Sequence, residues 1–342
     1  MKRDLAARSF CWIITFLFVM GAVPLLVHAE QKVIKLKYSD IYAPAHKNGM
    51  LAQQWCKEVE KRTDGRVKIT HFPGRTLTPP PQTYDSVVKG IADIGHTLAA
   101  YSAGRFLLTE VLAQPIGFTS GYQATYTCNE YYKKFKPKEF DDTKIMYIHG
   151  HGPGMFQTVK PVSSIDNIKG LRIKANTENA PIVTALGGAP VALPITETYD
   201  ACQKGLVDGL LLPIEPLKGW KFADVIKAVI ECPPMSYTAP ILVFMNKDKW
   251  NSLSKQDQEI IEKINEEWVE KQAKLWNELD KEATELAKQK GIKIIKATKE
   301  QDTQVAEKMK TVKEEWVKKT AAKGLPAQEA LDFCIEYVKS HP

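Results

Sequence analysis

The chain has 342 residues, 44% of them hydrophobic, and carries 47 Lys and Arg against 40 Asp and Glu, a formal net charge of +7. That length exceeds one comfortable core and allows two lobes. Lys and Glu are interspersed along the C-terminal third, which reads as solvated helix faces and excludes a nucleic-acid partner.

Residues 1–29 read as a cleaved signal peptide. Lys2, Arg3 and Arg8 form a basic start, Phe10 to Val27 is apolar, and Val27-His28-Ala29 fits a small-residue cleavage site. The apolar run is about 18 residues, the lower limit for a membrane span, and Pro24 favours removal. Removal takes three bases and one acid, Asp4, and leaves a charge of +5. No later segment is apolar enough to cross a bilayer, so the mature chain is expected in the periplasm. Its five cysteines include no CxxC pair, and their odd number leaves at least one unpaired. Burial as small apolar residues is their ordinary role, with one disulfide open to them in an oxidising compartment.

Ile34, Leu36 and Tyr38 alternate with Lys35 and Lys37, the pattern of a two-faced strand. Ser39 to His46 loops into a helix with Leu51, Trp55 and Val59 on one face. Asp64-Gly65 turns into a strand, Val67 to Phe72. A helix through Tyr84, Val87 and Val88 follows the proline-rich loop Thr76 to Pro81, and Ala92 to His96 is a short strand and turn. Tyr122 to Lys134 is a polar aromatic helix, Ile145 to Ile148 a strand, and His149 to Phe156 the crossing between lobes.

From Leu171 the signals alternate faster. Leu171 to Lys174 is a strand, and Thr177 caps a helix through Ile182, Val183 and Leu186 that stops at Gly187-Gly188. Val191 to Leu193 is a short strand, Thr196 caps a helix that ends at Gly205, and Val207 to Leu212 is a buried strand. This order predicts right-handed parallel crossovers, whose ligands sit beyond the carboxyl ends of the strands. Lys174 and Leu212 lie at two such ends. Val225 to Ile230 is a further strand, and the apolar Thr238 to Asn246 returns to the first lobe. Ser254 with Asp257 starts a helix whose apolar residues recur from Ile261 to Leu286. About 36 residues at 1.5 Å rise reach about 54 Å, enough to lie along both lobes. Helices bearing Val305 to Trp316 and Leu331 to Val338 close the chain.

Three ordered pieces carry a family resemblance: Lys169-Gly170-Leu171-Arg172-Ile173-Lys174, Leu186-Gly187-Gly188-Ala189-Pro190, and Glu197-Thr198-Tyr199 leading to Gln203-Lys204-Gly205-Leu206-Val207-Asp208-Gly209. Together with Gly90 to Gly95 and Gly104 to Val111 they resemble the solute-binding subunits of tripartite ATP-independent periplasmic (TRAP) transporters. The resemblance covers nearly the whole mature chain. It implies a two-lobed α/β periplasmic binding protein of the Venus-flytrap kind, with a long C-terminal helix spanning both lobes. Lobe 1 would comprise residues 30–150 and 239–277, and lobe 2 residues 151–238 and 278–342. The implied protein is not an enzyme and needs no cofactor. It captures a small organic acid and delivers it to membrane permease subunits. The long helix also offers a surface for a homodimer.

Family members often hold the ligand carboxylate with an arginine where this chain has Lys174. Arg172, two residues earlier, shares its face of the strand and is the competing anchor. The helix start at Asn176 offers backbone donors to an anion. Relatives that bind sugar acids carry polar residues near positions where this chain has Met155, Phe156 and Leu212. That apolar set suits an acid with an aromatic or branched hydrophobic body, although Leu212 in its leucine run also reads as core. His46, His96, Tyr42, Tyr101, Trp220 and Tyr237 are cleft candidates by their place in loops.

His149 and His151, spaced i, i+2, lack a neighbouring carboxylate or cysteine at ligand spacing. They read as hinge histidines, with His151 able to reach a ligand. No GxSxG, HExxH or P-loop is present. A ligand sensor and an exported hydrolase or metal-dependent enzyme are the alternatives.

Overall fold

The computed structural model describes residues 33–342, so the signal-peptide reading lies outside the described residues. β1 (Ile34–Asp40), α1 (Lys47–Arg62) and β2 (Val67–Phe72) open the chain. Leu36 and Tyr38 of β1 pack on Leu51, Trp55 and Val59 of α1. α2 (Thr83–Val88), β3 (Ile94–Leu98), α3 (Gly121–Phe135) and β4 (Thr143–Gly150) follow. The chain then crosses to a second sheet through β5 (Met155–Thr158), β6 (Arg172–Ala175), α4 (Ala180–Ala185), β7 (Ala189–Ala192), α5 (Ile195–Gln203), β8 (Gly209–Leu212), α6 (Pro216–Gly219) and β9 (Ala228–Glu231). β10 (Pro240–Asn246) returns to the first sheet and leads through α7 (Lys247–Asn251) into α8 (Lys255–Gln289). β11 (Lys293–Lys296), α9 (Lys299–Ala321) and α10 (Ala327–Ser340) complete the fold.

The first sheet has the order β2-β1-β3-β10-β4 and the second β11-β9-β5-β8-β6-β7. β10 is buried along its whole length because it lies inside a sheet covered on both faces, hence its unbroken apolar run. β6 pairs in parallel with β7 and β8, as the alternating elements predict. Each sheet carries its own apolar cores, which makes the molecule two-lobed.

The helix starts differ from expectation. Thr177 is exposed, and α4 begins after Asn179 with Pro181 in its first turn. Asn179 instead accepts the Asn176 N–H at 2.8 Å. Thr196 lies inside α5, which starts after Pro194. Proline's fixed φ decides both starts over the hydroxyl caps. Met155 to Thr158 is a strand of the second sheet and not merely a crossing. β11 had no periodic signal and pairs at the edge with β9.

α8 runs for 35 residues, with Ser254 accepting the Asp257 N–H at 3.1 Å. It packs on α1, α3 and β4 at one end and on α6 and β11 at the other. Trp268 enters a core of the first lobe and Ala283 a core of the second, with Trp276 between them. The five described cysteines are all buried and free.

Candidate functional site

A cavity of about 470 Å³, counting its mouth, lies between the sheets. The first lobe lines it with Ile41, Tyr42, Leu98 and Tyr101, the second with Lys174, Asn176, Ile195, Leu212, Glu215 and Trp220. His151 and Ile241, beside the two crossings, and Trp276 of α8 complete the wall.

β6 carries Lys174 inward, opposite Leu210 of β8 and Val191 of β7. Lys174 is only 1% exposed. Its Nζ donates to Asn176 Oδ1 at 2.9 Å, and no carboxylate among the described residues lies within ion-pair distance. Burial pushes its pKa down to about 8, against an upward pull from Glu178. An ammonium so placed is costly without an anion beside it.

Aromatic rings surround this charge. The Tyr42 and Trp220 rings, one from each lobe, lie 6.3 Å apart, and His46 stacks tilted against Tyr42 at 4.7 Å. Tyr101 reaches across the cleft, its hydroxyl accepting the Ile195 N–H at 3.0 Å. His46 Nε2 lies 2.9 Å from Glu215 Oε1 across the lobes. The N–H is poorly aligned, so neither atom has a hydrogen bond. Gly219 leaves room for this pair: a Cβ there would sit 1.9 Å from Glu215 Oε1 and 2.5 Å from His46 Nε2. Glu282 of α8 adds an outer bridge to Lys47 of one lobe and Lys218 of the other.

His151 spends both ring nitrogens on the crossings. Nδ1 donates to Gly152 O at 2.6 Å, and Nε2 accepts the Ala239 N–H at 3.0 Å. Burial holds it neutral, with its pKa lowered to about 4. It offers the cavity ring surface and no free nitrogen. Among the described residues no group of three or more His, Cys, Asp or Glu could hold a metal.

Seven sequence candidates therefore meet in one cavity: Tyr42, Tyr101, His151, Lys174, Asn176, Leu212 and Trp220. Six do not line it. His46 stacks against Tyr42. Arg172 is exposed at the amino end of β6, about 7 Å along the strand from Lys174. It is clamped by Asp208 through two 2.9 Å hydrogen bonds. Phe156 is core, in register with Leu211 and Ile230. Met155 stands opposite Leu212 and packs into the second lobe. His96 is buried beneath the floor, and Tyr237 is a supporting residue whose hydroxyl donates to Leu211 O at 2.8 Å. Sequence reasoning missed Trp276 and Glu215. Trp276 shares a face with Trp268, two turns earlier on α8, and Glu215 is the acid that ends the apolar run after β8.

Two α/β lobes, joined by crossing segments and closing over a cavity with a buried charge, define a two-lobed solute-binding protein. The chain belongs to the family of bacterial extracellular solute-binding proteins, family 7, whose model matches residues 38–320. A relative from Comamonas testosteroni, described as the outer membrane transporter protein TsaT, is 26% identical over 322 residues, 92% of this chain and 94% of its own. A TRAP periplasmic solute-binding protein from Desulfovibrio salexigens is 31% identical, with a TM-score of 0.79 over 90% of this chain and 96% of that one. Its ligand-binding site holds the C-terminus of a symmetry mate. Another from Bordetella bronchiseptica, with bound (R)- and (S)-mandelate, is 28% identical, with a TM-score of 0.83 over 90% of this chain and 100% of that one. The two relatives of known structure are periplasmic solute-binding proteins, and the family is extracytoplasmic.

Proposed function

We propose that this protein captures a small organic acid with an aromatic or branched hydrophobic body and hands it to a TRAP membrane permease. One observation carries the ligand class: Lys174, buried and without a carboxylate partner, faces a cavity walled by Tyr42, Trp220, Trp276 and aliphatic side chains. An anion there would replace the water lost on burial, and the apolar walls would select its body. The mandelate held by the Bordetella relative supports an aromatic acid, and the chain terminus in the Desulfovibrio relative supports an anionic anchor. In this reading Lys174 holds the carboxylate with Asn176, and Tyr42, Tyr101, His151, Leu212 and Trp220 shape the body's pocket. Residues 30–150 with 239–277 and residues 151–238 with 278–342 close around it as lobes.

A thermal-shift screen of the mature chain against aromatic, branched aliphatic, dicarboxylic and sugar acids tests this. A ligand at about 100 times its Kd stabilises the fold by about 2.7 kcal/mol. Shifts confined to aromatic or branched monocarboxylates support the reading, and shifts with sugar acids alone overturn the pocket argument. Recovery of a chemically altered ligand would point to an enzyme.

A further inference from the structure

We infer that Glu215 is a second recognition point, reading a hydroxyl or amino hydrogen on the body of the acid whose carboxylate Lys174 holds. The inference rests on the carboxylate reading of Lys174 and adds a substituent to it.

The other fully buried carboxylates among the described residues are all held by donors. Asp40 receives the Tyr42 N–H at 2.9 Å and His71 Nε2 at 2.9 Å. Asp93 receives the Lys37 N–H at 2.7 Å, and Asp257 receives Arg66 Nε at 2.9 Å and the Ser254 hydroxyl at 2.8 Å. Glu215 is as deeply placed, its side chain 2% exposed, yet it has only the poorly aligned His46 contact and no hydrogen bond from the described residues. Buried carboxylates are ordinarily satisfied, so an unsatisfied one that lines a cavity marks a missing donor.

The missing donor does not come from Lys174. The two side chains line the same cavity without meeting as an ion pair. Lys174 stands opposite Leu210, while Glu215 follows three residues beyond the end of the same β8 strand. The two charges share no ion pair, and Leu212 and Trp220 stand as apolar wall in the same cavity. A ligand fitting both carries a carboxylate, an apolar body and a hydrogen-bond donor away from the carboxylate. Hydroxylated and aminated hydrophobic monocarboxylates have that chemistry.

Calorimetric titration of the full mature chain tests it with four probes at the 3- and 4-positions: benzoate, and its methyl, hydroxy and amino derivatives. Methyl matches hydroxyl in size and lacks the donor. The wild type should bind a hydroxy or amino acid about tenfold more tightly than its methyl counterpart, as a hydrogen bond to a charged acceptor provides. The better of the hydroxy and amino arms identifies the donor. Glu215→Gln should shrink that preference at least about threefold. Equal wild-type affinities for methyl, hydroxy and amino probes at both positions overturn the inference alone and leave the carboxylate reading standing. Equal weakening of all probes by Glu215→Gln also overturns it, by assigning Glu215 a purely structural role against His46. Binding of none of the acids overturns both readings. The wild-type comparison decides even where the variant fails to fold.

Discussion

The Nε2 atoms of His96 and His149 face each other at 2.8 Å. Only one can carry a proton. The Trp276 N–H donates to His149 Nδ1 at 2.9 Å, which puts the His149 proton on Nε2 and makes His96 the acceptor. The His96 proton then sits on Nδ1, 3.0 Å from Asp40 Oδ1. A directed chain runs from α8 through β4 to β3, beneath the cavity floor, and ends in charge contact with Asp40 of β1. Burial pushes the Asp40 pKa up, but His96 and His71 more than offset this and hold it low.

His149 is held neutral, its pKa well below the usual value through burial and then through His96 and His151. The unfolded chain therefore binds more protons than the folded one as pH falls below about 6.5, and stability falls with it. The loss is about 1.4 kcal/mol per pH unit until the folded pKa is reached. His149→Gln should destabilise the protein at pH 7.5 by about 1–3 kcal/mol, since the Trp276 N–H loses its acceptor geometry. It should also flatten the decline between pH 6.5 and 5. Urea unfolding across pH measures both, and a parallel decline in the variant would sink this account.

Lys174→Met exchanges a buried ammonium for an apolar chain of similar length. Binding of any carboxylate should weaken at least about a hundredfold. The unliganded fold should gain up to about 3 kcal/mol at pH 7, because the folded pKa near 8 marks a charge held at a cost. Denaturation without ligand should show the gain, and titration the loss.

Carboxylate affinity should be flat well below pH 8 with respect to Lys174 and fall about tenfold per unit above it, since binding must then add a proton to the amine. Glu178, its pKa raised to about 7 by burial and by Glu110, adds a negative charge near the site from about one unit lower. His151 stays neutral throughout this range. Lys174→Arg should abolish the fall above pH 8 and keep the part due to Glu178. Calorimetry from pH 6 to 10 separates the two.

Gly219→Ala pushes a methyl group into the His46–Glu215 contact. The expected cost is about 1–3 kcal/mol of stability and an affinity loss of about tenfold, because closure brings these side chains together. Small-angle scattering with ligand present should give a larger radius of gyration than the wild type.

Arg172→Ala serves as the contrast. Its guanidinium is exposed and engaged with Asp208, so carboxylate affinity should stay within about twofold. A loss as large as that of Lys174→Met would return Arg172 to the site.

The strands and the long helix were legible because their periodicity is local. Lys174 was legible because it ends a strand flanked by parallel neighbours. The parity that pairs it with Arg172 does not say which of the two stands at the open end. His96 and Tyr237 looked alike as loop residues, but the partners that bury them come from distant elements. Trp276 hides in the same stripe as Trp268, because a helix face reads identically whether it meets core or cavity. Glu215 stands between Pro213 and Pro216, where no period exists to flag it. At Thr177 and Thr196, nearby prolines outweighed the hydroxyl caps.

The five free thiols have a kinetic consequence. Burial raises the pKa of Cys56, Cys128, Cys232 and Cys334, and that of Cys202 to about 11, so the reactive thiolate is scarce in the native state. That protection lasts only while the lobes stay packed. Each global opening in an oxidising medium exposes thiols with no native pairing to guide them, and a wrong disulfide blocks the way back. The working lifetime of the molecule there is set by its unfolding rate more than by its equilibrium stability, and a ligand that slows opening also preserves its sulfur chemistry.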